Sequence, residues 1–437
     1  MGYHRILEFI YNLLLLILIP LIRMGSNDGK NRIKPVKNYT FKLFKYEKVQ
    51  VNKKISRRIP LPRSGHRIVC DTKNLYSFGG YNPAVVRDNM EIEDRDDDEL
   101  SIHSFPLFQE LWKFNFATRR WTRFNCRESL PPELASNAVI RRGNYLMVYG
   151  GTGSPFGYRC SNQLYICKLT DINSRMTEIN TKGPPPVPQY GQALVYYNDS
   201  LYTIGGTTGF SYTCDIHKLN MKTQSWESVY ICQGKGDYEP EGRYRHEVGF
   251  DGQCIYILGG GTVEDVFDFA EIPVFDLEKL QWSVQKALPD SLVINSIHDG
   301  YPPPRRCHGA VQLEFEDEDF KVFITGGYSG DQIYDDLWCL NLRTFQWNLV
   351  TSCRLQYPTY FHSSAVTPEG KMYVFGGIIS REDIERSNTI HSTWLCIPKL
   401  SEICWEALLH YNPKMISYSK SELINAGLPR HFAQRIE

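Results

Sequence analysis

The chain has 437 residues and balances 49 Lys and Arg against 49 Asp and Glu, so no net charge steers it toward nucleic acid or anionic lipid. Aromatics make up 13% of it and Gly and Pro are frequent, a composition suited to many short strands joined by turns. Its 12 cysteines form no CxxC pair or Cys/His cluster of zinc spacing. Cys70, Cys167, Cys254 and Cys339 stand singly in apolar runs as small hydrophobes, which points to a reducing compartment.

Phe9 to Ile22 is an apolar run broken by Asn12 and Pro20. It is short of the ~20 residues a membrane span needs. Two readings are open: the core of a signal peptide, with sequons at Asn38 and Asn198 as glycosylation acceptors, or an extension upstream of a true start at Met24. The mature fold is expected not to depend on it. Residues 1–37 are expected to be an extension ending in the basic, unstructured stretch Lys30 to Lys37. A cytoplasmic or nuclear protein is expected, with a secretory or membrane-anchored product as the competing reading. Phe41 to Tyr46 then alternates apolar and polar residues and reads as a strand.

From residue 75 onward one pattern recurs: an apolar strand ending in Gly-Gly. The glycine pairs are Gly79-Gly80, Gly150-Gly151, Gly205-Gly206, Gly259-Gly260, Gly326-Gly327 and Gly376-Gly377. Residues without a Cβ allow close backbone approach where strands crowd. A second strand follows each pair and leads to an aromatic ten residues on: Leu111 to Trp121, Ile216 to Trp226, Ile272 to Trp282, Leu337 to Trp347 and Leu395 to Trp405. In copy two Met176 takes that place. These aromatics are read as packing between neighbouring sheets. Six copies at intervals of about fifty residues match the kelch repeat, one propeller blade per copy. The expectation is an all-β, six-bladed propeller over residues 38–397, with the strand near 40–47 completing blade six because an open sheet edge invites aggregation. The acidic run Glu91 to Glu99, inside an insertion of blade one, reads as a solvated loop, with a basic partner as the alternative.

A short motif precedes each Gly-Gly strand: Arg63-Ser64-Gly65-His66, Glu133-Leu134-Ala135-Ser136, Gln189-Tyr190-Gly191-Gln192, Arg243-Tyr244-Arg245-His246, Arg305-Arg306-Cys307-His308 and Thr359-Tyr360-Phe361-His362. In a propeller these loops emerge on one face around the axis. The His column is read as structural, bonding backbone in a repeated turn. Arg243, Arg245, Arg305 and Arg306 fall on blades four and five, with Tyr190, Tyr244 and Tyr360 nearby. A guanidinium fork matches a carboxylate or phosphate, so the cluster is a candidate anion site. The alternative for any single Arg is a bridge to an acid such as Glu241 or Glu247. No P-loop, G-x-S-x-G, H-E-x-x-H or dinucleotide loop is present, and no catalytic residue, metal or cofactor is expected.

Beyond Trp394 the pattern turns helical. Leu400 to Leu409 has apolar residues on one face, and Ser421 to Ile436 is a second amphipathic stretch in which Gly427 ends one helix and Pro429 starts the next. Leu400, Cys404 and Ala407 resemble the elongin-binding BC box. Leu428, Pro429, Phe432 and Ile436 resemble the cullin-2 box that follows it in such receptors. Residues 398–437 are therefore expected to be a helical BC box and cullin box with either a place on the propeller side or a partner to wait for.

From about Pro60 to the C-terminus the chain resembles kelch-repeat substrate receptors of cullin-2 ubiquitin ligases. The resemblance rests on the strings Arg63 to His66, Phe78 to Pro83, Pro106 to Trp112, Arg243 to Glu247, Ile255 to Thr262, Arg305 to His308 and Thr344 to Trp347. It implies a non-catalytic adaptor bound to elongin B/C and cullin-2 that reads protein C-termini, notably ends in Gly or Ala. Arg243, Arg245, Arg305 and Arg306 would hold the terminal carboxylate and Tyr190, Tyr244 and Tyr360 would line the last side chain. No nucleic-acid or membrane partner is expected. The rival reading is a kelch scaffold that binds a folded signalling partner, such as a phosphatase, without ubiquitin.

Overall fold

The structure, a computed structural model, describes residues 38–85, 106–295, 299–316, 319–382 and 384–436. The apolar run Phe9 to Ile22 and the acidic run Glu91 to Glu99 lie outside them. The chain forms six antiparallel four-stranded sheets arranged as the blades of a propeller. Blade one runs through Arg67–Cys70, Asn74–Phe78, Leu111–Asn115 and Arg120–Arg123, and the next four repeat that order from axis to rim. Inner strands of neighbouring blades touch all the way round, blade six meeting blade one through Ser363–Val366 and Arg67–Cys70.

Blade six takes its outermost strand from the other end of the chain. That strand is Glu47–Lys48, paired antiparallel with Ile390–Trp394. It lies beyond the alternating segment Phe41 to Tyr46, whose extended run is interrupted by a left-handed backbone at Phe44 (φ 50°).

The aromatic column obeys one rule: each outer-strand side chain packs on the preceding blade. Trp121 lies 5.3 Å from Phe375, Trp226 5.4 Å from Tyr149, and Trp347 5.6 Å from Phe269, centroid to centroid. Met176 is buried among Tyr76 and Phe78 of blade one. The sixth position corrects the sequence reading, because Trp405 belongs to a helix and not to a blade. Phe44 and Tyr46 fill that place instead. Phe44 packs 6.4 Å from Phe323, and the Tyr46 hydroxyl donates to Thr325 Oγ1 at 3.2 Å. A strand borrowed from the other end of the sequence brings its own aromatics.

The paired glycines sit where neighbouring blades share backbone. In each blade the second glycine N–H donates to a carbonyl of the next: Gly80 to Leu134 (2.8 Å), Gly151 to Gln189 (3.0 Å), Gly206 to Arg243 (2.9 Å), Gly260 to Arg305 (2.9 Å), Gly327 to Thr359 (2.8 Å) and Gly377 to Arg63 (2.8 Å). The first glycine is left-handed and crowded. A Cβ on Gly79 (φ 65°) would sit 2.3 Å from the Leu134 carbonyl oxygen.

The C-terminal tail forms helices α1 (Leu400–Tyr411), α2 (Lys420–Asn425) and α3 (Arg430–Ala433). A Ser419–Glu422 capping box starts α2, and Gly427 (φ 93°) turns the chain toward Pro429 at the N-cap of α3. The tail has its own core of Trp405, Leu408, Met415, Leu423, Leu428 and Phe432, joined by Ala117 of blade one. It is pinned to the propeller. Glu406 accepts from Tyr39 Oη (2.9 Å) and Trp394 Nε1 (3.2 Å) and pairs with Lys371, while Asn115 Nδ2 donates to the Arg435 carbonyl at 2.9 Å. Arg435 grips Glu402 of α1 by both nitrogens, so the last residues of the chain hold the first helix of the tail. None of the 12 cysteines forms a disulfide.

Candidate functional site

The loops before the Gly-Gly strands converge on the axis in a closed ring. Six left-handed residues, Gly65, Ser136, Gly191, Arg245, Cys307 and Phe361, each donate an N–H to the carbonyl of the preceding member. The six bonds span 2.7 to 3.1 Å and close on themselves, Gly65 N donating to Phe361 O. This fixes the register of the motifs. In blade two it runs one residue later than the sequence alignment, with Leu134, Ser136 and Asn137 standing where blade one has Arg63, Gly65 and His66. The reason is that Leu134, not Glu133, offers the carbonyl to Gly80.

Two columns of the motif, the first-position arginines and the histidines, have structural roles set by their place. The first-position arginines are struts. Arg63, Arg243 and Arg305 each donate Nε to the carbonyl two residues back and Nη1 to the carbonyl of the first glycine of their own blade, and each lies over an aromatic ring. Arg63 also pairs with Glu110 at 2.8 Å. Arg305 grips both oxygens of Asp336, whose carboxylate also takes Trp338 Nε1 at 2.9 Å. This corrects the expectation for Arg243 and Arg305: their guanidinium groups are spent inside the blades and do not face the axial opening. His66, His246, His308 and His362 are likewise buried against the first glycine of the preceding blade. Burial pushes all four imidazoles below their ordinary pKa, His246 and His362 to about 3, so they are neutral at pH 7.

The opening itself is a cavity of about 170 Å³ on the axis. Its floor is Gly65, Ser136 and Phe361 of the ring, and its walls include Tyr190, Tyr244, Tyr81, Phe156, Ile378 and Arg386. Tyr360 lies outside it, stacked 5.0 Å from Tyr328. Burial raises the Tyr244 and Tyr360 phenols, which stay protonated donors at neutral pH.

Arg245 stands directly behind the floor. Its side chain crosses the ring from blade four, donates Nη2 to Ser136 Oγ and lies 4.9 Å from the Phe361 ring centroid. A Cβ at Gly65 would meet that nitrogen at 3.4 Å, so a glycine there leaves the guanidinium room. Arg245 is only 3% exposed, and its Nε has no hydrogen-bond partner. Burial, then the nearby Arg67, lower its pKa to about 10, which keeps it charged at pH 7. Glu247 acts on it only through space, its direct ion pair being with Arg67 at 2.8 Å. Arg306 is half-buried, with Nη1 buried and unpartnered. Arg386 donates Nε to Ser64 Oγ (3.0 Å) and Nη1 to the Ile384 carbonyl (2.9 Å). Among the described residues no carboxylate lies within 4.0 Å of Arg245, Arg306 or Arg386. Among the described residues the opening is therefore a small hole with Arg386 in its wall, Arg245 behind its floor and no acidic side chain in its lining.

Arg386 is the residue that sequence reasoning missed. It bridges Ile378 at the place where blades one, two, four and five put Leu107, Cys160, Val266 and Ile333. An arginine in an otherwise apolar slot of a repeat is a signal that was there to read.

On the tail, Leu400 is 42% exposed and Cys404 half-buried, side by side on α1, whereas Ala407 is buried. Leu428, Phe432 and Ile436 are buried in the tail's own core, leaving Pro429 as the exposed member of that motif. No metal-binding group of His, Cys, Asp and Glu exists among the described residues, and no helix there is long and apolar enough to cross a membrane.

Two family models match the chain: the KLHDC2/KLHL20/DRC7 Kelch-repeats domain over residues 101–292 and the Attractin/LZTR1 beta-propeller over residues 201–395. Kelch domain-containing protein 10 homolog of Drosophila melanogaster is 42% identical over 411 residues, an alignment covering 91% of this chain and 66% of the fly protein. Kelch domain-containing protein 10 of Homo sapiens is 40% identical over 380 residues (87% of this chain, 80% of that one), and that of Xenopus laevis 39% over 382 residues (87% of each). With the six blades and both propeller models in agreement, the chain belongs to the Kelch domain-containing protein 10 family.

Proposed function

We propose that the chain is the substrate-recognition subunit of a cullin-2/elongin ubiquitin ligase and that its axial cavity takes a free protein C-terminus ending in Gly or Ala. The observation that carries this reading is the buried guanidinium of Arg245 behind the cavity floor, which has no direct ion pair among the described residues, with Arg386 in the cavity wall. A buried cation without a counter-ion is costly, and an incoming carboxylate relieves that cost. The small volume and the Gly65, Ala135 and Ser136 surfaces suit a last residue with little or no side chain. The kelch-repeat propeller is a protein-binding module, in keeping with this role.

Ubiquitin-ligase assembly rests on the tail. Leu400 and Cys404, one helical turn apart, offer two apolar side chains to a groove on elongin C. Cullin-2 contact runs through Pro429 and its exposed neighbours, because Leu428, Phe432 and Ile436 are occupied in holding the tail together. Peptides of one sequence as free acid and as C-terminal amide, titrated by fluorescence anisotropy, test the cavity. The acid should bind at least tenfold more tightly, and equal affinities would remove the carboxylate from the account. A pull-down of elongin C with the parent chain and with its Leu400→Ser, Cys404→Asp double variant tests the tail; no capture by the parent would leave the non-ubiquitin scaffold as the better reading, and undiminished capture by the variant would remove Leu400 and Cys404 from the contact.

A further inference from the structure

Beside the axial cavity, two short turns from neighbouring blades are fused into one surface. The blade-two turn spans residues 153–160 and the blade-three turn residues 208–211. They touch backbone to backbone through a pair of left-handed glycines. A Cβ on Gly209 would lie 2.5 Å from Gly157 Cα, and one on Gly157 would lie 3.0 Å from Gly209 Cα. Each turn is also braced from within: Thr152 Oγ1 accepts from Gly157 N at 3.1 Å and donates to the Arg159 carbonyl at 3.0 Å, and Thr207 Oγ1 accepts from Gly209 N at 3.0 Å. The Cys160 thiol donates to the Thr208 carbonyl across the seam.

This scaffold holds three aromatic side chains out to solvent. Tyr158 and Phe210, each 76% exposed, are the most exposed aromatics among the described residues, and they meet edge to face at 5.8 Å. Phe156, 45% exposed, meets Tyr81 edge to face at 4.8 Å and is itself a wall of the cavity. Aromatic surface kept in water by a braced backbone marks a contact site. On the blade-six side of the opening the exposed side chains are mixed, Arg381, Glu382 and Glu385 beside a single apolar Ile384, with no exposed aromatic in that hairpin.

We propose that Phe156, Tyr158 and Phe210 form a shelf for a large apolar side chain a few residues upstream of a docked chain end. This rests on the reading of the cavity given above. The occupant follows from continuity and size. A cavity of about 170 Å³ holds about six waters' worth of space, enough for one or two small residues, so the rest of the peptide must leave over the rim. Phe156 belongs to both surfaces, which makes blades two and three the apolar way out. Recognition then has two parts: a carboxylate and small last residue in the hole, and one anchoring apolar side chain on the shelf.

The test is a positional scan. Fluorescent peptides of Gly and Ser ending in Ala carry one Phe at each position from the third to the eighth from the end, as free acids and as amides. They are titrated against the full chain and against its Tyr158→Ser, Phe210→Ser double variant, whose changes are at exposed positions and leave the core untouched. The shelf predicts a window of one or two positions at which Phe tightens free-acid binding about tenfold. It also predicts that this window flattens in the variant. A flat scan with acids still preferred over amides overturns the shelf alone, as does a window that survives in the variant. No preference of acid over amide at any position overturns the cavity reading and the shelf together.

Discussion

Asp336 tests whether Arg305 is a strut or a binding group. Its carboxylate takes both Nη atoms of Arg305, which is fully buried, and also Trp338 Nε1, while its backbone carbonyl takes Thr325 Oγ1 at 2.7 Å. Burial alone would raise its pKa, but the Arg305 charge and these hydrogen bonds hold it below the ordinary carboxylate value. Asp336→Ala leaves an uncompensated guanidinium in a water-free site and should destabilise the protein by about 3–5 kcal/mol. The Arg305→Met, Asp336→Ala double variant, which removes both charges, should recover much of that loss. Equilibrium urea unfolding followed by tryptophan fluorescence reads the change, and anisotropy reads peptide binding on the folded fraction. If Asp336→Ala left stability within ~1 kcal/mol of the parent but abolished binding, Arg305 would belong to the recognition site and the strut assignment would fail.

Four further outcomes are expected. Because His66, His246, His308 and His362 are held neutral, their contribution to stability is complete above the unfolded pKa near 6.5 and is lost as pH falls below it; at pH 5 each should cost about 2 kcal/mol, and a urea midpoint unchanged between pH 7.5 and 5 would contradict this. Gly79→Ala should destabilise by more than the ~1 kcal/mol of a left-handed φ alone, since its methyl would meet the Leu134 carbonyl; a melting temperature equal to the parent's would refute it. Deleting residues 38–50 removes the outer strand of blade six together with Phe44 and Tyr46, and thermal unfolding should shift down by many degrees; an unshifted melt would show the ring closing without them. Arg435→Ala should leave Glu402 buried and unpaired and loosen α1, seen as faster amide hydrogen exchange across Leu400–Tyr411, and unchanged exchange would show that the tail holds its shape by apolar packing alone.

The blades were legible because their needs repeat: Gly-Gly where neighbouring blades share hydrogen bonds, and a large side chain ten residues past the third strand to cover the blade before. The places where the pattern misled are places where a different part of the chain meets the same need. Trp405 has the right spacing, but blade six is closed by the N-terminal strand, and Phe44 and Tyr46 cover blade five in its stead. In blade two neither Arg nor His marks the loop, so its register could be read only from the carbonyl that Gly80 uses. The site was half legible. A list of arginines does not distinguish a first-position strut from a third-position side chain that crosses the axis, since the difference lies in which carbonyls and acids surround each group in space. Arg386 and Phe156 come from hairpins outside the aligned motifs. The tail shows the same limit: the spacing of Leu428, Phe432 and Ile436 marks an apolar face, and that face turns inward onto Trp405 and Met415.

The most direct measurement is free-acid peptide affinity in Arg245→Met and in Arg305→Met, each normalised to the folded fraction from its own urea curve. The account predicts that Arg245→Met stays folded and loses at least thirtyfold in affinity, about 2 kcal/mol or more, while Arg305→Met loses stability and keeps its affinity once folded. Full affinity in Arg245→Met, with acid still preferred over amide, would mean that another group reads the carboxylate.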